Sequence, residues 1–179
     1  MLRSLSHEAR EFKWLQGGRV SPARLVVMSV DGVATRMNPL VVGVLRSPFH
    51  WVLSFGLMLI TVTGRRSGRE YTIPVGYQKD GDLITVLASE APTKQWWRNF
   101  EIPARAHLRV RGRDLAGTAV LVASGSDEFR AQSERTLRRL PFMAKAFGVD
   151  DYDRKRGLTE KQIAALGKNI AIVQIRINA

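Results

Sequence analysis

LMLITVTGRRSGREYTIPVGYQKDGDLITVLAS, residues 57–89, reads as three strands and two turns. Leu57–Thr63, Arg69–Lys79 and Leu83–Ala88 are rich in β-branched, aromatic and other apolar residues, and glycine-containing turns separate them. Asp80-Gly81 is a hairpin signal, because glycine adopts the left-handed conformation that a tight two-residue turn requires. Downstream, Ala104–Arg111 alternates strictly. Ala104, Ala106, Leu108 and Val110 fall on one face, and Arg105, His107, Arg109 and Arg111 on the other, so one face enters a core and the other is basic. Gly112 permits a tight turn into a strand over Arg113–Ala123, and Ile170–Ile177 supplies a last strand with Ala171, Val173, Ile175 and Ile177 on one side. Six strands of this length, with helices between and before them, imply a mainly β, α+β fold: a small closed or split β-barrel.

Upstream, Asn38–Arg46 reads as a short helix, with Asn38 capping and Pro39 in the first turn, and Ser47-Pro48 as a restart signal for one or two further turns over His50–Phe55. Leu40–Val62 is apolar, but Arg46, Pro48 and His50 break it, and a membrane span needs about 20 mostly apolar residues. Phe49, Trp51 and Phe55 beside Arg46 are the mixture that rests at a lipid interface; packing on the barrel is the plainer expectation. Ser126–Leu140 reads as a helix with Ser126 capping, Asp127 and Glu128 at its positive end and Arg135, Arg138 and Arg139 near its negative end. Thr159–Leu166 reads as another, ended by Gly167, and Asp150–Lys155 as a charged surface loop. The expected division is an N-terminal, partly helical extension over residues 1–37 and a barrel domain over 38–179.

A chain of 179 residues with 45% hydrophobic and 25% charged residues suits one globular domain. It contains no cysteine, which removes disulfides, thiolate ligands and thiol nucleophiles. Three scattered histidines, His7, His50 and His107, match no metal-ligand spacing, so no metal is expected. The net charge of +12 draws anions. Residues 1–18 carry charges and no apolar run before a cleavage site, so the expected address is the cytoplasm, with the inner face of the membrane as the alternative.

Chemistry concentrates in Thr63-Gly64-Arg65-Arg66-Ser67-Gly68-Arg69, where glycines let backbone amides approach an anion and arginine forks bind phosphate bidentately. An Arg- and Gly-rich turn is also the composition of an ordinary solvated hairpin. Its setting is more specific: Leu45-Arg46-Ser47-Pro48, the strand-loop-strand of residues 59–74, Asp80-Gly81-Asp82, Ala88-Ser89 and Trp96-Trp97-Arg98-Asn99-Phe100 follow in order. In this the chain resembles the deazaflavin (F420)-dependent nitroreductases and quinone reductases, split β-barrel proteins with a TTTGRxSG loop and a WYxNL helix.

The resemblance implies an oxidoreductase that passes a hydride from reduced coenzyme F420 to a small hydrophobic acceptor: quinone-like, nitroaromatic or unsaturated. It also implies that Thr63, Gly64, Arg65, Arg66, Ser67, Gly68 and Arg69 hold the cofactor's phosphate and acidic tail, that Ser89 lies near its ring, that Trp96 and Trp97 wall the pocket, and that Asn99 bonds within it or ties the helix to the barrel. Plain core packing is the alternative for the tryptophans. The proton donor for the product falls to Tyr77 or Tyr152, neither located by a motif. Related split barrels hold FMN, the alternative cofactor, and often form homodimers. The chain departs from the family pattern in having Glu90 where a lysine follows the serine, a short connection to Trp96, and Arg66 where lysine is common. A carboxylate at Glu90 opposes an anionic cofactor, and the alternative function is a non-catalytic fatty-acid, lipid or flavin carrier at the membrane surface. Nucleic-acid binding by Arg105, Arg109 and Arg111 is not expected, because no aromatics interleave with them for stacking.

Overall fold

The computed structural model describes residues 34–65 and 67–178, so readings that fall on His7, Arg66 and residues 1–33 lie outside the described residues. Seven strands form a single antiparallel sheet that curls into a half-barrel. They are β1 (Leu57–Thr63), β2 (Glu70–Gly76), β3 (Gln78–Asp80), β4 (Leu83–Ser89), β5 (Ala104–Val110), β6 (Arg113–Val122) and β7 (Ile170–Ile177), arranged in the order β2-β1-β5-β6-β7-β4-β3. Of the closed and split β-barrels that the strand pattern allowed, the fold is the split one that the family resemblance implied. It has one more strand than expected because Arg69–Lys79 is divided at Tyr77, whose amide leaves the ladder to donate to the Gly56 carbonyl.

The two turns anticipated from glycine are present. Asp80 pairs with Leu83 across Gly81-Asp82, with Gly81 at φ +57°. Val110 pairs with Arg113 across Arg111-Gly112, both in the left-handed region at φ +50° and +77°. The inner face of the sheet buries Met58, Ile60, Val62, Ile84, Val86, Phe100, Ala106, Leu108, Val110, Val173 and Ile175 in one core. β7 lies between β6 and β4 and is buried on both sides, because Ile170 and Ile172 face a second core built with the helices.

Those helices are α1 (Ala34–Arg46), α2 (Asp127–Arg139), α3 (Met143–Ala146) and α4 (Glu160–Asn169). The Ser126 hydroxyl caps α2 by accepting from the Phe129 amide at 3.1 Å. Thr159 and Gln162 form a capping box at the start of α4. Two boundaries differ from expectation. Asn38 and Pro39 lie inside α1 and do not open it. Gly167 does not end α4: the helix runs on to Asn169, and the glycine is needed because a Cβ there would come within 2.0 Å of the Ser124 hydroxyl. A glycine that terminates and a glycine that permits close packing look alike in sequence. The restart at Ser47-Pro48 holds: Ser47 caps a 3₁₀ turn over Pro48–Val52, accepting from the Phe49 amide at 3.1 Å. The His50 ring of that turn lies where a Cβ on Gly112 would be, so the turn is packed on the β5–β6 hairpin.

Candidate functional site

The loop between β1 and β2 is closed by its own backbone. The Gly64 amide donates to the Arg69 carbonyl at 2.8 Å and the Gly68 amide to the Gly64 carbonyl at 2.8 Å, with Gly68 at φ +65°. Gly64 has no room for a side chain, since a Cβ would come within 2.7 Å of the Ser67 hydroxyl and 2.8 Å of the Tyr71 ring. Tyr71 folds over the loop and shares a 3.0 Å hydrogen bond with Ser67. Arg65 and Arg69 are exposed on this compact turn.

Trp96–Phe100 is a single 3₁₀ turn, and Phe100 anchors it by burial in the inner core, edge-on to Trp96 at a ring separation of 6.3 Å. Both tryptophans pack half-buried against the core, and the Trp97 indole N–H donates to the Ala91 carbonyl at 3.0 Å. Asn99 joins the turn to the loop. Its side-chain carbonyl accepts from the Arg65 amide at 3.0 Å, and its side-chain amide donates to the Trp96 carbonyl at 2.8 Å. The Arg65 guanidinium pairs with Glu101 just beyond the turn. Two motifs separated by more than thirty residues therefore form one surface.

Ser89 ends β4, 9% exposed, opposite Ile170. Glu90 follows in the left-handed region at φ +53°, an uncommon conformation for a residue with a side chain. The chain then folds back, with the Thr93 and Lys94 amides donating to the Glu90 carbonyl at 2.9 and 3.1 Å and the Ala91 amide tied to the Asn169 carbonyl at 2.9 Å. This return brings the Lys94 ammonium to 3.1 Å from the Glu90 carboxylate and 3.3 Å from the Ser89 hydroxyl. The carboxylate that counts against an anionic ligand is thus paired, and a cation stands at Ser89 although none follows it in sequence.

Thr63, Gly64, Arg65, Ser67, Gly68, Arg69 and Asn99 are gathered at one end of β1. Trp96 and Trp97 link them to the turn that leads back to Ala91 and Ser89. The tyrosines named from sequence are placed elsewhere. Tyr77 follows β2 at the opposite end of β1, about 20 Å away along a seven-residue strand, and its hydroxyl donates to the Ser54 carbonyl at 3.1 Å. Tyr152 packs against the second core, with its hydroxyl buried and unpartnered among the described residues. Sequence reasoning missed Tyr71, Lys94 and Glu101. The signals were present: Tyr71 lies two residues past Arg69 in a strand, and Lys94 lies four residues past Glu90. Among the described residues no group of three or more His, Asp or Glu side chains is placed to hold a metal.

No curated protein matches the chain significantly. A solved F420-H2 dependent reductase (FDR-A) aligns at 16% identity over 68% of this chain and 94% of its own, with a TM-score of 0.47. A solved chain described as a domain-swapped dimer aligns at 16% identity over 87% of this chain and all of its own, with a TM-score of 0.50, a likeness of fold. The F420H(2)-dependent quinone reductase family matches residues 49–162, which contain the loop, Ser89 and the tryptophan turn. With that match spanning well over half its length, the chain belongs to the F420H(2)-dependent quinone reductase family and is an F420-dependent oxidoreductase.

Proposed function

We propose that this oxidoreductase reduces a small hydrophobic acceptor, quinone-like in the first place and nitroaromatic or unsaturated as alternatives, with the cofactor's anionic end held by the loop of residues 63–69. One observation carries this reading: Asn99 binds the loop and the tryptophan turn into one cationic, aromatic-walled surface. The residues present fit the group. Arg65 and Arg69 are exposed beside glycines that bare the backbone, and Lys94 adds a third cation at Ser89. Guanidinium, ammonium, hydroxyl and amide donors are what a phosphate and carboxylates need. When bound, the reduced deazaflavin supplies the hydride.

The chain's own part is to bind, orient and shield. Arg65, Arg66 and Arg69 take the charged end, Ser67 and the loop amides add donors, Ser89 and Asn99 position, and Trp96 and Trp97 keep water from the ring. The proton for the reduced acceptor falls most simply to the Tyr71 hydroxyl, the tyrosine that lies on the loop, ahead of Tyr77 and Tyr152.

A hydrophobic acceptor suits a protein that rests on a membrane. The exposed aromatics in and just after the 3₁₀ turn support peripheral contact there: Phe49, Trp51 and Phe55 are 67%, 62% and 81% exposed, next to Arg46. No helix among the described residues is long and apolar enough to cross a membrane. A homodimer, and a barrel domain beginning near residue 38, complete the reading.

The test is a titration with F420 and, in parallel, with FMN, followed by oxidation of reduced F420 in the presence of a short-chain quinone or a nitroaromatic. Tight F420 binding that an Arg65→Ala/Arg69→Ala variant loses, together with quinone-dependent oxidation, is the expected result. Binding of FMN alone, or a co-purified fatty acid in an organic extract with no turnover, would refute it.

A further inference from the structure

The outer face of β2, β1, β5 and β6 carries an open cleft of about 390 Å³ that includes none of the loop or tryptophan-turn residues. The strand register builds it. Thr72, Thr61, His107 and Ala116 stand in one row across the four strands, and Leu59, Arg109 and Asp114 in a neighbouring row. All of these side chains point away from the inner core, because their sequence neighbours Ile60, Val62, Ala106 and Leu108 point into it. Arg105 lies on the same face of β5, and Arg46, at the end of α1, closes one side.

The charge in this cleft is unbalanced. Arg109 spends one guanidinium nitrogen on both oxygens of Asp114, at 3.0 and 2.8 Å, while its Nε is buried without a partner. Arg46 and Arg105 form no ion pair with a carboxylate among the described residues. Three guanidiniums therefore face one carboxylate, an excess of two positive charges. The Thr61 and Thr72 hydroxyls share a 2.8 Å hydrogen bond, which commits one of their two protons and leaves the other to donate. A buried, unbonded guanidinium N–H costs free energy that an anion removes. Two guanidinium forks, a hydroxyl donor and a histidine around a cavity of this size match a dianion with several oxygens.

We propose that this cleft is a second anion site, distinct from the cofactor loop, that binds a phosphoryl group. The group comes either from a soluble phosphorylated ligand or from a lipid headgroup. The His50–Gly112 contact places the exposed aromatic turn at the β5–β6 end of the same face, so an acyl chain has apolar surface beside the charged head.

The test uses F420-loaded protein, in which the loop arginines are engaged. Inorganic phosphate is titrated calorimetrically at low ionic strength; in a second arm, vesicles of phosphatidylcholine with and without phosphatidic acid are pelleted with the protein. The expected result is binding in at least one arm that Arg105→Gln weakens about tenfold or more, the loss of a charge-assisted bond, while F420 affinity is unchanged. Binding of inorganic phosphate identifies a soluble ligand; binding confined to phosphatidic acid vesicles identifies a headgroup. Binding in neither arm, or equal binding by Arg105→Gln, overturns the proposal. Should the protein take no F420, the same titrations on an Arg65→Gln/Arg69→Gln variant read the cleft alone, so the two readings fail separately.

Discussion

Asn99→Ala should weaken cofactor binding without abolishing the fold. The wild-type side chain makes two hydrogen bonds, accepting from the Arg65 amide at 3.0 Å and donating to the Trp96 carbonyl at 2.8 Å, and both use the one amide orientation that satisfies them together. Each bond contributes about 0.5–1.5 kcal/mol net. The Arg65 amide is exposed, so water replaces part of that contribution. A total near 1 kcal/mol follows, which lowers the melting temperature by about 2–4 °C in a domain of this size. The same free energy sets the binding effect. Without Asn99 the loop is no longer held against the tryptophan turn, and the cofactor must order it on binding. An added cost of about 1 kcal/mol corresponds to roughly fivefold weaker affinity. Tryptophan quenching by F420 measures the affinity, a thermal melt the stability, and turnover at saturating F420 should stay within about twofold of wild type. A variant that melts lower yet binds F420 as tightly as wild type would refute the idea that Asn99 preorganises the loop.

Glu101→Gln removes the carboxylate that holds the Arg65 guanidinium, so F420 should bind a few-fold more tightly at low salt, with the gain fading as salt screens the loop; unchanged affinity would mean that Glu101 does not compete for Arg65. Gly117→Ala should lower the melting temperature by several degrees. Its Cβ would lie 2.5 Å from the Arg176 carbonyl oxygen and 2.9 Å from Ile175 Cγ2 on the paired strand, an overpacking worth about 1–3 kcal/mol, and an unaltered melt would count against the β6–β7 register. Hydrogen bonds from Gln132 and then Gln174 hold the Glu128 carboxyl below the usual glutamate range. A depressed folded value means stability that is present above the ordinary range and lost as pH falls through it, so thermal melts should decline on acidification. Glu128→Gln should flatten that slope, and parallel slopes for the two proteins would show that Glu128 is not its source.

Local rules sufficed for the strands. Alternation in Ala104–Val110 and left-handed glycines at Gly81 and Gly112 act over a few residues, so they can be read from neighbours alone. The loop of residues 63–69 was legible for the same reason: arginines and glycines crowded into a strand-to-strand turn have few other uses. Long-range contacts decided the rest. Nothing near Arg65 announces Asn99, and although Lys94 lies four residues past Glu90, its taking the place of the missing cation at Ser89 depends on Glu90 turning left-handed and folding the chain back. Gly167 was misread because its reason is Ser124, which lies on another element. Tyr77 leaves the ladder for Gly56, which divides an apparently continuous strand. The outer cleft is a property of register: Thr61, Thr72, His107 and Arg109 meet only because their strands are neighbours in the sheet, and side-chain periodicity states which face a residue takes but not what stands opposite it.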